Sequence, residues 1–312
     1  MREQVDRRVL ERWIGRFAPA IRIRHARTIG MGWGTVVLDV NDAWIFRFPR
    51  TAEDARRVDR EARLLPELAS RLRVAIPRYE YLARNQAGRI LFVGYPKLKG
   101  RPLPRRGLSG PRADRWVEDL AGMLRTLVRF PQSLGRQLNV EWASRADAMG
   151  RWEDLYPKVR RHVHPHLPQG IRAIDREYWE SYLDDPESWR RRPVMNHGDL
   201  FPEHVLVDDE GITGILDWES ACFEDPVANV TGLPVADRFA DRVARAVFPS
   251  TEPDLERRRA FHRHAVPVYS VLYGLEQNDP ARVRRSLALY ARTLPVSESE
   301  PVSPRRGRTR EP

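Results

Sequence analysis

Residues 194–218 read Val194-Met-Asn-His197-Gly198-Asp199-Leu-Phe-Pro-Glu-His204-Val-Leu-Val207-Asp-Asp-Glu-Gly211-Ile-Thr-Gly214-Ile-Leu216-Asp217-Trp218, where turn signals alternate with short apolar runs. The surrounding half of the chain has helical spacing, so this stretch stands out. Residues 205–207 and 212–216 have the β-branched character of strands, and Asp208-Asp-Glu-Gly211 supplies a turn between them. Pairing Val207 with Gly214 puts Val205 opposite Leu216 and His204 opposite Asp217, so the two polar residues leave the hairpin together. Asp199, five residues before His204, follows Gly198 on a loop that can reach the same point. A lone His-Gly-Asp triplet is as readily a plain turn. With Asp217 brought back by the hairpin, two metal-competent side chains and a separate carboxylate converge, the minimum for phosphoryl transfer.

The rest of the chain bounds this reading. It has 312 residues, 41% hydrophobic and 31% charged, enough for a sizeable core and near the length at which chains split into two lobes. No run approaches 18 apolar residues, and MREQVDRRVLERW is charged where a secretion signal needs an apolar core, so neither membrane spanning nor export is expected. Cys222 is the only cysteine, which excludes an intrachain disulfide or a multi-cysteine metal site and fits the cytoplasm. The net charge of +11 is carried almost wholly by arginine, with lysine only at 97, 99 and 158. Stretches such as EDARRVDREARLLPEL pair those arginines with acids at helical spacing, and the runs at 190–192 and 257–259 lack interleaved aromatics. Specific nucleic-acid binding is not expected.

Before the unusual stretch, TVVLDV (35–40) and AWIFRFP (43–49) alternate with period two across Asn41-Asp42, a hairpin signature. Gly30-Met-Gly32-Trp-Gly34 precedes it, and helical spacing runs through Ala55, Val58, Ala62, Leu65 and Leu68. Further strands are predicted at 78–82 and 89–95. Pro96, Gly100, Pro102 and Pro104 then mark the lobe boundary. The division is thus 1–96, a small antiparallel-sheet lobe, and 97–294, a larger mainly helical lobe. Its predicted helices lie at 111–130, 140–163, 175–184, 233–247, 253–276 and 279–293. The tail 295–312, rich in Pro, Ser and Arg, is expected to be disordered.

His197-Gly-Asp199, His204 and Gly214-Ile-Leu-Asp217-Trp218 together resemble the aminoglycoside and macrolide phosphotransferase family, whose α+β, bilobal fold is similar to the protein kinases. The resemblance extends to about Leu294. It implies that Asp199 is the catalytic base and that His204 and Asp217 are Mg²⁺ ligands. Asn is the commonest family residue at the middle position, and His204 in its place resembles the macrolide 2'-phosphotransferase branch. In the amino-terminal half there is no Walker cradle, and the glycines precede a strand rather than a helix, which argues against a dinucleotide fingerprint. The segments around Arg47 and Glu61 are similar to the family's strand-three and helix-C segments. Arg47 then takes the place of the usual phosphate-binding lysine, with Glu61 as its ion-pair partner. Gly30, Gly32 and Gly34 would fold over the phosphates, and Tyr95-Pro-Lys97-Leu-Lys99-Gly100 matches the hinge that meets the base.

The expected activity is transfer of the γ-phosphoryl of ATP or GTP, with Mg²⁺, to a small-molecule hydroxyl, by a monomer. The favoured acceptor is a macrolide antibiotic; aminoglycosides and an endogenous alcohol are the alternatives. The candidate pocket helices offer both linings: Glu219, Glu224, Asp225, Asp237 and Glu276 for a polycation, and Val227, Val230, Leu233, Tyr269, Leu272 and Tyr273 for a macrolide. Outside the enzyme class stand a catalytically silent kinase-like protein and a basic nucleic-acid binder. His162-Val-His164-Pro-His166 has the look of a metal tract, but its alternation beside Pro165 reads better as a loop. No GxSxG or HExxH occurs.

Overall fold

Alternation in the first hundred residues builds a sheet whose two faces do different work. The computed structural model describes residues 7–31, 34–248 and 253–294; Gly32 and the tail 295–312 lie outside them. Strands β1 (Ala26–Met31), β2 (Thr35–Val40), β3 (Trp44–Pro49), β4 (Tyr81–Arg84) and β5 (Ile90–Pro96) form an antiparallel sheet in the order β1-β2-β3-β5-β4. The β2–β3 turn is made by Asn41 and Asp42, both at positive φ (58° and 54°), a conformation their short polar side chains tolerate. Val36, Leu38, Val40, Phe46, Phe48 and Phe92 cluster with Leu10 and Ile14 of the opening helix α1 (Arg7–Phe17). Each such fully buried side chain contributes about 1.5–3 kcal/mol. The intervening positions include Val37 and Arg47, which are direct partners across β2 and β3. Arg47 is therefore placed on the face away from α1.

Helix α2 (Ala52–Ala69) starts at a capping box: the Asp54 N–H donates to Thr51 Oγ1 at 3.1 Å, and the Thr51 N–H to Asp54 Oδ2 at 3.0 Å. Val58, Glu61, Leu65 and Leu68 follow at helical spacing and are all buried. A carboxylate in the middle of an apolar stripe requires a buried partner.

Among the described residues two smaller sheets follow. They combine β6 (Arg101–Pro102), β7 (Glu141–Trp142), β8 (Val194–Asn196), β9 (Val205–Val207), β10 (Ile212–Ile215) and β11 (Cys222–Glu224), in the orders β10-β9-β6 and β7-β11-β8. The helices are α3 (Gly110–Val128), α4 (Gln132–Gln137), α5 (Arg145–His162), α6 (Gln169–Asp184), α7 (Ala228–Thr231), α8 (Phe239–Val247), α9 (Pro253–Ala265), α10 (Pro267–Glu276) and α11 (Pro280–Thr293). No helix of the described residues is long and apolar enough to cross a membrane.

Several predicted boundaries move for identifiable reasons. The helix expected over 140–163 begins at Arg145, because Glu141 and Trp142 pair with β11. The helix expected over 253–276 divides at Pro267, which has no N–H to donate and opens α10 instead. Positive φ at Asp237 and Arg238 delays α8 to Phe239. In the hairpin, Val207 pairs with Ile212 rather than Gly214, and Leu206 with Gly214. Thr213 is the extra residue of a bulge, and its hydroxyl donates to Lys99 O at 2.7 Å. Leu216, not Asp217, therefore lies across from His204, its N–H donating to His204 O at 2.8 Å.

The chain forms two compact units, Met1–Arg151 with Pro186–His262, and Trp152–Asp185 with Arg263–Pro312. The first contains all three sheets. Its main core gathers Trp116, Leu120 and Leu124 of α3 with Phe239 and Val243 of α8, and Trp218. In the second, α10 packs on α11, and a buried polar cluster centres on Asp175. Asp175 accepts from Tyr290 Oη at 2.8 Å and lies 2.8 Å from His164 Nε2 and 2.7 Å from His264 Nε2. The segment read as a histidine-rich loop is the end of α5 followed by a tight 3₁₀ turn, with His164 directed at Asp175.

Candidate active site

The site grows from the loop after β8. Gly198 has φ +82°, and a Cβ there would lie 2.0 Å from Ser220 O, so only glycine fits. His197, fully buried, ties this loop to the hairpin exit. A carbonyl can only accept, so Nε2–H donates to Leu216 O at 2.9 Å, leaving Nδ1 to accept from the Asp199 N–H at 3.2 Å. Burial, reinforced by nearby His204, pushes the His197 imidazole down to about 4, so it is neutral. Its own N–H is held by Asn229 Oδ1 at 3.0 Å.

His204 donates Nδ1–H to Asp199 O at 2.7 Å, and its Nε2 faces Asp217 Oδ2 at 3.7 Å. Asp217 reaches this position through a left-handed backbone, φ 64°, which restores the convergence that the bulge would have undone. One ligand atom each from Asp199, His204 and Asp217 lie within 4.8 Å of one another. Burial pushes the Asp199 carboxyl up to about 6; the charge of His204 opposes this, and Asp217 and Glu203 add to it.

Arg47, 4% exposed, stands beside the cluster. Its Nη1 donates to both Glu61 oxygens at 2.9 Å and to Tyr79 Oη at 3.3 Å, while Nη2 donates to Asp217 Oδ1 at 3.0 Å and Glu219 Oε2 at 2.5 Å. These carboxylates outweigh burial and hold the guanidinium well above its usual range. Glu61 also accepts the Trp218 N–H at 3.1 Å, so one buried carboxylate links strand β3 to the residue after Asp217. Deleting either member of a pair buried this deeply leaves an uncompensated charge, at a cost of about 3–5 kcal/mol.

The donor set fits a divalent cation. Asp217 supplies a carboxylate oxygen and His204 an imidazole nitrogen, in a cluster with more acidic groups than Arg47 alone neutralises. Mg²⁺ prefers oxygen to nitrogen, and it characteristically completes its shell with water and phosphate oxygens.

The remaining predicted site residues are more scattered. Gly30 lies in β1, where a Cβ would make only ordinary contact with Val37 at 3.8 Å; a Cβ on Gly34 would lie 2.6 Å from Asp54 Oδ1. Tyr95 is buried in β5, its ring 5.8 Å from that of Tyr79. The Lys97 N–H is taken by Ala43 O at 2.8 Å, and its ammonium meets Asp39 Oδ2 at 2.6 Å. Its charge is thus directed to β2 and not to the cluster. The acids read as acceptor-pocket candidates are engaged within the fold. Glu219 lies on Arg47, Glu224 on Arg151 at 2.6 Å, Asp225 on Arg258 at 2.8 Å, and Asp237 accepts the Leu108 N–H at 2.6 Å. Burial pushes the Cys222 thiol up to about 12, so it is not a nucleophile. Tyr79 and Asn229 escaped the sequence reading, and neither stands in a pattern that marks it.

Comparison with known proteins bears on the family and the fold. The solved GDP and kanamycin complex of APH(2")-IIIa is 26% identical, superposes with a TM-score of 0.80, and covers 91% of this chain and 98% of its own. The macrolide 2'-phosphotransferase MphH from Brachybacterium faecium, at 24% identity and a TM-score of 0.64, covers 94% of this chain and 99% of its own, and shares the fold. A curated relative, the uncharacterized protein YcbJ of Bacillus subtilis (strain 168), is 27% identical over 199 residues. That match spans 60% of this chain and 61% of the relative's length. The pattern of the phosphotransferase enzyme family matches residues 25–289, and the chain belongs to that family.

Proposed function

We propose that this protein transfers the γ-phosphoryl group of ATP or GTP to a hydroxyl of a small molecule, a macrolide antibiotic being the favoured acceptor. The observation that carries the reading is the joining of Asp199, His204 and Asp217 to a buried Arg47–Glu61 pair. Residues 1–96 serve as the nucleotide lobe, to which Gly30, Gly34 and Tyr95 contribute, and 97–294, starting at Lys97 of the hinge, as the catalytic lobe. Asp199 orients the acceptor hydroxyl and takes its proton as the oxygen bonds to the γ-phosphorus. The bond from that phosphorus to the β–γ bridging oxygen breaks, and the nucleoside diphosphate leaves. A carboxyl pushed up to about 6 is still ionised at neutral pH, yet more basic than an ordinary aspartate. His204 and Asp217 would hold Mg²⁺, which supplies positive charge against the phosphates. Arg47, fixed by Glu61, faces the phosphates from the sheet side.

The macrolide preference rests on charge. A polycationic aminoglycoside needs unpaired carboxylates, and Glu224, Asp225 and Asp237 are each already matched by an arginine or a backbone N–H. A macrolide, with a single amine and a large apolar surface, makes no such demand. The deciding experiment incubates the protein with ATP or GTP, Mg²⁺ and a panel of macrolides and aminoglycosides, and weighs the products. A phosphorylated macrolide is expected. Modification of aminoglycosides alone would overturn the acceptor, and nucleotide binding with no turnover on any hydroxyl would leave a silent binding protein.

A further inference from the structure

Each terminal nitrogen of a guanidinium carries two hydrogens, and both sets on Arg47 are engaged. Nη1 serves Glu61 and Tyr79, and Nη2 serves Asp217 and Glu219. A phosphate oxygen that takes a hydrogen from Nη2 must displace one of its carboxylates. Glu219 makes the shorter contact, 2.5 Å against 3.0 Å, but Asp217 has further commitments. Asp217 follows a left-handed backbone, faces His204, and stands ready for a cation. Glu219 sits at the first central position of the turn closed by the Ala221 N–H on Trp218 O at 3.0 Å. The Ser220 carbonyl lies close against Gly198, which fixes the backbone of that turn, while the Glu219 side chain, longer by one methylene than that of Asp217 and 17% exposed, reaches Arg47 across one more rotatable bond. Three carboxyl groups also crowd one guanidinium at the place where a nucleotide would bring further negative charge.

We infer that Glu219 is a positioning residue that occupies, on Arg47, the place of a nucleotide phosphate. In the free protein it keeps the guanidinium aimed toward the Asp199–His204–Asp217 cluster. On nucleotide binding it releases Nη2 to a phosphate oxygen and turns toward solvent. This inference rests on the phosphotransferase reading above and adds a competitor to it. Glu219 thereby weakens nucleotide binding, and the same exchange eases release of the diphosphate product.

The test is calorimetric titration of the full chain with ADP and GDP, with Mg²⁺ and with chelator, on the native protein, Glu219→Gln and Glu219→Asp. Glu219→Gln keeps the size and removes the competing charge, so it is expected to bind diphosphate about 3- to 10-fold more tightly, with or without Mg²⁺. Glu219→Asp, charged but too short for the same contact, falls between. In turnover, KM for the nucleotide falls in Glu219→Gln while kcat stays within about two-fold or declines through slower release. A residue needed only for folding would change the melting temperature and leave the KM-to-kcat split unmoved, which would overturn the inference. Weaker binding by Glu219→Gln confined to the Mg²⁺ series would make Glu219 a cation ligand and overturn it too. If the native protein binds neither nucleotide, the phosphotransferase reading itself fails.

Discussion

Asp199 and His197 lie two residues apart on one loop, yet their surroundings drive their protons in opposite directions. Burial pushes the Asp199 carboxyl up to about 6 and the His197 imidazole down to about 4, in both cases by penalising the charged form. Asp199→Asn preserves size and cannot take a proton. Turnover should fall by about 10²–10⁴-fold while nucleotide binding persists. Because the charged form of Asp199 is the disfavoured one in the fold, the same variant should melt no lower than the native protein at pH 7.5. Normal turnover by Asp199→Asn would remove it from the role of base. For His197 the sign is reversed. The unfolded chain takes up a proton near the ordinary value of about 6.5 and the folded protein only near 4, so this contribution to stability is complete above pH 6.5 and is lost as pH falls toward 4. Urea midpoints at pH 7.5 and 5.5 should separate further for the native protein than for His197→Gln, and equal separations would refute that account. The chemistry of these residues was legible because acid, imidazole and acid fall at turn boundaries of one short stretch. The partnership of Arg47 with Tyr79 and Glu219 was not, because nothing local to positions 79 or 219 records a cation 32 or 172 residues away.

The hairpin and the helix α2 show where pattern reading succeeds and where it stops. Period two identified the strands β2 and β3, and period 3.6 identified the buried stripe of α2, since both follow from the direction in which successive Cβ atoms point. The register of β9 on β10 departs from simple alternation, by two residues at Val207 and by one at Val205. Its bulge depends on the Thr213 hydroxyl reaching Lys99 O, a partner 114 residues away that no local alternation encodes. The site still converges because Asp217 adopts a positive φ, a conformation that no local pattern assigns to it. Gly198 offers the sharpest check on this geometry. Gly198→Ala must place a Cβ within 2.0 Å of Ser220 O at a φ that L side chains rarely adopt. It is expected to destabilise the fold by about 1–3 kcal/mol or more, read from denaturant midpoints, and to depress turnover by displacing Asp199. A native midpoint in that variant would show that the loop and the 218–221 turn are not in contact as described.

Across the whole chain, many of the arginines behind the net charge of +11 are matched inside the protein, as Arg258 is by Asp225 and Arg151 by Glu224. The two-segment make-up of the smaller unit was equally invisible. Asp175 meets partners 11, 89 and 115 residues distant, and periodicity carries no information about which helices come together. Every described residue of the proposed nucleotide site belongs to the unit Met1–Arg151 with Pro186–His262, so nucleotide binding should stabilise that unit by linkage. At about 100 times Kd the gain is about 2.7 kcal/mol, which for a unit of this size raises the melting temperature by roughly 5–11 °C. Chelating Mg²⁺ should remove most of the rise, since Asp217 and the phosphates would then face each other without a cation between them. Hydrogen exchange should place the new protection around Arg47, Glu61 and the 196–218 segment, with the α10–α11 pair unchanged. An unmoved midpoint at millimolar ATP and GTP would count against the phosphotransferase reading as a whole. A rise that chelation leaves intact would instead indicate that the arginine carries nucleotide binding without help from His204 and Asp217.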